Sequence, residues 1–247
     1  MKLSVLFIPF AIMSLILMGC NDEPPIIVQE EMEDEAEEES IELIEETVES
    51  DSEEEIQQFI EFTLVDRHIT VHIDQIPILS NYLATHDKRD EAIEQMELID
   101  VGGESFDSAF ILKFACENGT CSYLLLNTET EESLLLADNA AMSIWETSSD
   151  GAKVLMVFER TLAESPWNPN KLMVFDLSDW ALLTVEPLDD QQFNFSSFRW
   201  PIQEVHWVEN NQIELTIPDV ENPTIPLLTE WFEDDNQNLS TITLEVD

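Results

Sequence analysis

Glycine and positive charge are both scarce in this 247-residue chain, which carries five glycines and nine Lys or Arg against 54 Asp or Glu. Outside a short leader only Gly102, Gly103, Gly119 and Gly151 remain. A phosphate-cradling loop needs several glycines in close order so that backbone N–H groups can approach the ligand, and these four are too dispersed to form one. The Gly-x-Ser-x-Gly elbow of serine hydrolases is also missing. With a formal net charge of −45, the chain repels phosphate backbones and anionic lipid, which excludes nucleic acid as a partner. No motif calls for a cofactor. Cations, basic peptides and saline water are the surroundings such a field tolerates, with weak cation binding the mildest form of partnership.

What is present begins with an apolar run. Lys2 and the amino terminus hold the only positive charge before Leu3–Met18, a stretch of 16 residues without a charged side chain and interrupted by Ser4, Pro9 and Ser14. A spanning helix needs roughly 20 apolar residues, so the run has the layout of a signal peptide, with an uncleaved anchor as the competing reading. Its ending, Leu17-Met18-Gly19-Cys20, resembles the lipobox of bacterial lipoproteins. The resemblance implies that residues 1–19 are removed and that the Cys20 thiol receives diacylglycerol and becomes the new amino terminus. The protein would then sit on the extracytoplasmic face of the cell membrane, held by its lipid. One acyl chain binds membrane only marginally, whereas two or more hold stably. Loss of Lys2 leaves 54 acidic and 8 basic residues, a net charge of −46.

From Asn21 to Glu55 there are 18 acidic residues and no basic one. Such a segment buries too little apolar surface to offset its ordering entropy, so residues 20–55 read as a lipidated cysteine followed by a disordered acidic tether. A helix with Ile41, Ile44 and Val48 on one face is the alternative, opposed by glutamate repulsion at i, i+4. Residues 56–247 are long enough for a single domain with its own core.

That domain reads as mainly β. Ile69, Val71 and Ile73 alternate with His68, Thr70 and His72, which predicts a half-buried strand within residues 62–73. Residues 77–98 change to helical spacing and predict one small helical segment, split near His86. Short strands follow at 109–116, 121–126, 133–137, 142–146, 153–158, 171–177, 182–185, 204–208, 212–217 and 240–246, punctuated by Asn118-Gly119, Asp150-Gly151 and Asn210-Asn211. The expected architecture is antiparallel short-strand meanders, propeller-like or a sandwich.

"IWETSSDGAKVLMVFER" with "KLMVFDLSDWALLTVE" resembles one blade of the propellers in proteins similar to the periplasmic TolB component, with Ser149 where that family has proline. "VHWVENNQIELTI" resembles the opening of another, Trp207 being its packing aromatic. At about 40–45 residues per blade, the chain beyond residue 106 holds little more than three, which excludes a closed six- or seven-bladed ring. An open stack of meanders, or a compact body using the strand at 62–73, is left. The resemblance implies packing and assigns no chemistry.

Cys116 and Cys121 form an even pair in a chain read as exported, which suggests a disulfide. Asn118-Gly119 signals a type I′ hairpin turn, pairing Glu117 with Thr120 and setting Cys116 opposite Cys121 one step out. Two free buried thiols are the alternative. A redox role is disfavoured, since no Lys or His neighbours either cysteine in sequence.

His68 and His72 have an HxxxH spacing, but on a strand of about 3.3 Å rise per residue they stand too far apart to share one zinc. His72 with Asp74 would make only a weak site, so no metal centre is assigned. Asp234, Asn236, Asn238 and Glu245 fit four positions of a calcium loop, yet Leu239 occupies the place of the required glycine and "STITLEVD" reads as a strand. The loop Thr161–Asn170 is about twice the usual length of a strand connection. It sets Trp167 between Pro166 and Pro169, a candidate contact loop, unless the indole folds back over a sheet edge. The function expected is that of a non-catalytic, surface-exposed binding or interaction module with a protein or ligand partner. An extracellular hydrolase using carboxylates or a metal, and a cation-binding surface protein, are the alternatives. A solute-binding protein lacks support, since repeated strand–helix units are missing.

Overall fold

The computed structural model describes residues 59–163, 165–188 and 193–247. The chain divides into two units, Met1–Glu53 and Glu54–Asp247, and all described residues belong to the second. Cys20 and the acidic segment 20–55 therefore lie outside them. The described body is mainly β and antiparallel, in sheets of two, four and seven strands.

The first strand expected is a hairpin. β1 (Phe59–Thr63) pairs with β2 (His68–His72), and the Leu64 N–H closes the turn on the Arg67 carbonyl at 2.9 Å. The reading of 62–73 as one strand is corrected by that turn, whose Val65 is fully exposed. The alternation itself holds: Val71 and Ile73 are buried while His68, Thr70 and His72 face solvent.

Next come α1 (Pro77–Ala84) and α2 (Arg89–Glu94), parted around His86. Pro77 starts α1, where its missing N–H costs nothing, and Leu79 and Leu83, one turn apart, are buried. The helical segment ends before residue 98. Glu97–Asp100 is β3, paired with Lys113–Phe110 of the following strand, because burying both Met96 and Leu98 follows the period of a strand.

β3 opens a seven-stranded meander in which spatial order equals chain order. It continues through β4 (Ala109–Glu117), β5 (Thr120–Asn127), β6 (Ser133–Thr147), β7 (Lys153–Glu159), β8 (Asn170–Asp176) and β9 (Ala181–Leu183). The stretch resembling a blade, β6 to β9, is therefore continuous with β5. Residues 133–137 and 142–146 belong to one 15-residue strand. Its first half pairs with β5 and its second with β7. Asn139, in the left-handed region at φ 44°, sits where the partner changes, together with bulges that bend a strand and increase its twist.

The meander is covered on both faces, which accounts for its near-continuous apolar runs. Ile111, Tyr123 and Leu125 of β4 and β5 share one buried cluster with Val154, Met156 and Phe158 of β7, and the Tyr123 and Phe158 rings lie 5.2 Å apart. The sheet thus coils over itself about β6. On the opposite face Phe110, Leu112 and Leu124 pack under the hairpin and the two helices. Leu155, Val157, Leu172 and Val174 pack against the four-stranded sheet.

That sheet comprises β10 (Val185–Pro187), β11 (Glu204–Glu209), β12 (Gln212–Pro218) and β13 (Leu239–Val246), in the order β10-β13-β12-β11. Between β12 and β13 lies α3 (Ile225–Glu233), a helix the sequence reading omits. Leu228 and Trp231 are its buried residues, and the Trp231 indole N–H donates to the Asn238 carbonyl at 2.6 Å.

Candidate functional site

Three places on the surface merit comparison. The first is a cleft of about 430 Å³ between the α1–α2 corner and the tip of the β4–β5 hairpin, lined by Tyr82, His86, Lys88, Glu91, Cys116 and Glu117, among others. The turn has the expected form, with Asn118 and Gly119 both at positive φ, 51° and 88°, and with Glu117 opposite Thr120. Cys116 and Cys121 are disulfide-bonded with their α-carbons 4.1 Å apart. Beyond them a bulge at Ala115, φ 50°, shifts the register before Phe114 meets Ser122.

The His and Lys absent from the cysteines' sequence neighbourhood arrive here from the connection between α1 and α2. Both are engaged. The His86 ring lies 4.2 Å from that of Tyr82, tilted 53° to it, with its Nδ1 2.9 Å from the Tyr82 carbonyl, and Lys88 pairs with Glu91 at 2.8 Å. Burial raises the Tyr82 phenol above its ordinary value, opposed in part by a backbone hydrogen bond with Ala115. Cys116 is half-buried, whereas Cys121 is 4% exposed in the apolar core. A thiolate attacking the accessible sulfur would expel the Cys121 thiolate into apolar surroundings, which raise a thiol's pKa and make it a poor leaving group. The arrangement acts as a staple.

The second place is the long loop after β7. It closes through the Arg160 N–H on the Pro169 carbonyl at 3.1 Å. Trp167 is 6% exposed and Pro169 is buried, leaving Pro166 exposed. Of the two readings of the loop, display of the indole to a partner is the one the structure does not take: Trp167 folds back and is buried, the large apolar ring gaining more from burial than from water. At the foot of this loop Arg160 pairs with Asp138 and lies 4.1 Å over the Phe198 ring. Lys171 donates to the Leu136 carbonyl at 2.9 Å. Burial lowers the Lys171 pKa, Arg160 lowers it further, and Asp138 opposes them.

The third place, unforeseen from sequence, is the outer face of α3. Ile225, Pro226, Thr229, Glu230, Glu233 and Asp234 line a groove of about 560 Å³, and Ile225 is 65% exposed. The spacing of Leu228 and Trp231 was the available signal, masked by Pro223 and Pro226.

The metal candidates do not converge. His68 is hydrogen-bonded through Nδ1 to Thr63 Oγ1 at 3.1 Å, and Asp234 caps the turn by accepting the Asn236 N–H at 2.9 Å. Among the described residues no group of three His, Cys, Asp or Glu is disposed to hold a metal ion, and no helix is long and apolar enough to cross a membrane. No protein-family model and no curated protein sequence matches the chain.

Proposed function

We propose that the chain is a lipid-anchored lipoprotein of the extracytoplasmic membrane face, whose β-rich domain works by contact with a protein or ligand partner and not by catalysis. The observation that carries the reading is the end of the leader, where an apolar run meets Leu17-Met18-Gly19-Cys20 and passes at once into an acidic segment. The Cys116–Cys121 disulfide supports an exported location, since such bonds persist in oxidising compartments. Contact is supported by the character of the accessible concavities. The cleft at the hairpin tip has its His and Lys already engaged, and the α3 groove combines apolar side chains with carboxylates. The acidic surface keeps the domain hydrated and repels anionic neighbours.

Mass spectrometry of the protein from its native membrane tests the anchor. The expected species begins at Cys20 and carries diacylglycerol on its sulfur. A polypeptide retaining residues 1–19, or one with an acyl-free first residue, overturns the assignment.

A further inference from the structure

We infer that the outer face of α3 docks a cationic, amphipathic segment of a partner protein, a deepening that rests on the contact reading above. With 3.6 residues per turn, Ile225 and Phe232 fall within about 20° of one another around the helix. Leu228 shares this face, three residues after Ile225 and four before Phe232, so Ile225 and Phe232 are the solvent-reaching ends of a stripe whose middle is buried. Ile225 is 65% and Phe232 39% exposed, and Leu239, just beyond the helix, is 51% exposed. Isolated exposed apolar residues are ordinary; here Ile225 lies beside Pro226 in a shallow, open groove bordered by carboxylates.

Charge decides the occupant. The last turn of α3 holds Glu230 and Glu233, Asp234 and Asp235 follow, and no basic residue is present. A helix C-terminus carries negative partial charge and favours cations, so these carboxylates reinforce the local potential where most helices neutralise it. Among the described residues none of the four takes part in an ion pair. A second copy of a chain with net charge −45 is repelled, as is the chain's own segment 21–55 with its 18 acids and no base. A Lys- or Arg-bearing segment with an apolar edge satisfies both features: its side chains fill the groove beside Ile225 and Pro226 while its cations meet Glu230, Glu233 and Asp234.

The probe is a fluorescent peptide of about 15 residues, long enough to form a helix when held, built from Leu at helical spacing and Lys elsewhere. Its anisotropy is titrated with the full chain in neutral detergent. Ile225→Ser with Phe232→Ser is expected to weaken binding roughly tenfold. Glu230→Gln with Glu233→Gln should weaken it about three- to tenfold and flatten its salt dependence. A remote pair, Val65→Ser with Glu131→Gln, should leave it within about twofold, as expected of rim positions. All positions are solvent-facing, and an unchanged melting temperature confirms folding; the charge variants carry the test if the apolar pair disturbs it. Equal weakening by the remote pair, or none by the apolar pair, overturns the proposal, because the attraction would then be diffuse. Any of these failures leaves the lipid anchor standing, since that is judged separately by the Cys20 mass.

Discussion

Reducing the Cys116–Cys121 bond in the folded protein should lower stability by about 2 kcal/mol or less, because loop-closure entropy grows with loop length and this loop is very short. The cysteines are separated by 5 positions in sequence. For a loop of that size the chain-entropy relation gives roughly 2 kcal/mol at 25 °C, against about 4.7 for a hundred-residue loop. That figure is an upper bound here. The turn is already shaped by Asn118 and Gly119 at positive φ, and the β4–β5 ladder from Ala109↔Asn127 to Phe114↔Ser122 involves neither sulfur. In a domain of this size 1 kcal/mol moves the melting temperature by about 2–4 °C, so reduction should lower it by at most roughly 8 °C. The assay is urea denaturation with and without a phosphine reductant, with the slope against urea unchanged. A loss above about 4 kcal/mol, or a changed slope, would refute the argument and show that the bond holds more than its own hairpin.

Two further outcomes follow from backbone and turn geometry. A Cβ on Gly102 would lie 1.7 Å from the Phe106 carbonyl oxygen, whereas one on Gly103, φ 57°, meets nothing within 4 Å. Gly102→Ala should therefore reach or exceed the top of the roughly 1–3 kcal/mol range for overpacking, and Gly103→Ala should cost about 1–2 kcal/mol of left-handed backbone strain; equal losses in thermal melts would refute the close approach. In the β6–β7 turn the Ser148 hydroxyl donates to Asp150 at 2.6 Å and is the largest cause of that carboxyl's lowered pKa, followed by the Ala152 N–H. Stability from this group is present above the unfolded-state value and is lost as pH falls through the lower folded one. Ser148→Ala should raise the Asp150 midpoint in a carboxyl NMR titration, and an unmoved midpoint would discard the turn as its cause.

Much of the β architecture was readable because two-sided burial writes itself into sequence as long apolar runs: "AFILKFA" and "KVLMVFE" are β4 and β7. The Asn118-Gly119 turn and the cysteine pair around it were readable for a related reason, since hairpin register is a local property. Three features escaped. The pattern reads β6 as two strands, 133–137 and 142–146, whereas the left-handed Asn139 in the gap bends a single continuing strand. β3 was absorbed into a helix, as Ile93 and Met96 hold helical spacing up to its first residue. α3 was hidden by prolines that begin a helix as readily as they interrupt a strand. Of the surface sites, only the disulfide was local enough to foresee. The approach of His86 and Lys88 to Cys116, and the burial of Trp167, depend on packing between elements distant in the chain.

β6 has a consequence for how this chain can be divided. In a propeller, each blade keeps its own strands, so blades can be duplicated or deleted as blocks. Here one strand serves as the last member of one half and the first of the next, with bonding to both neighbours on a single uninterrupted backbone. A cut near residue 140 would orphan an edge on either side. Fragments made there should not refold separately, and the protein should melt in one step, its middle strand acting as a shared keel.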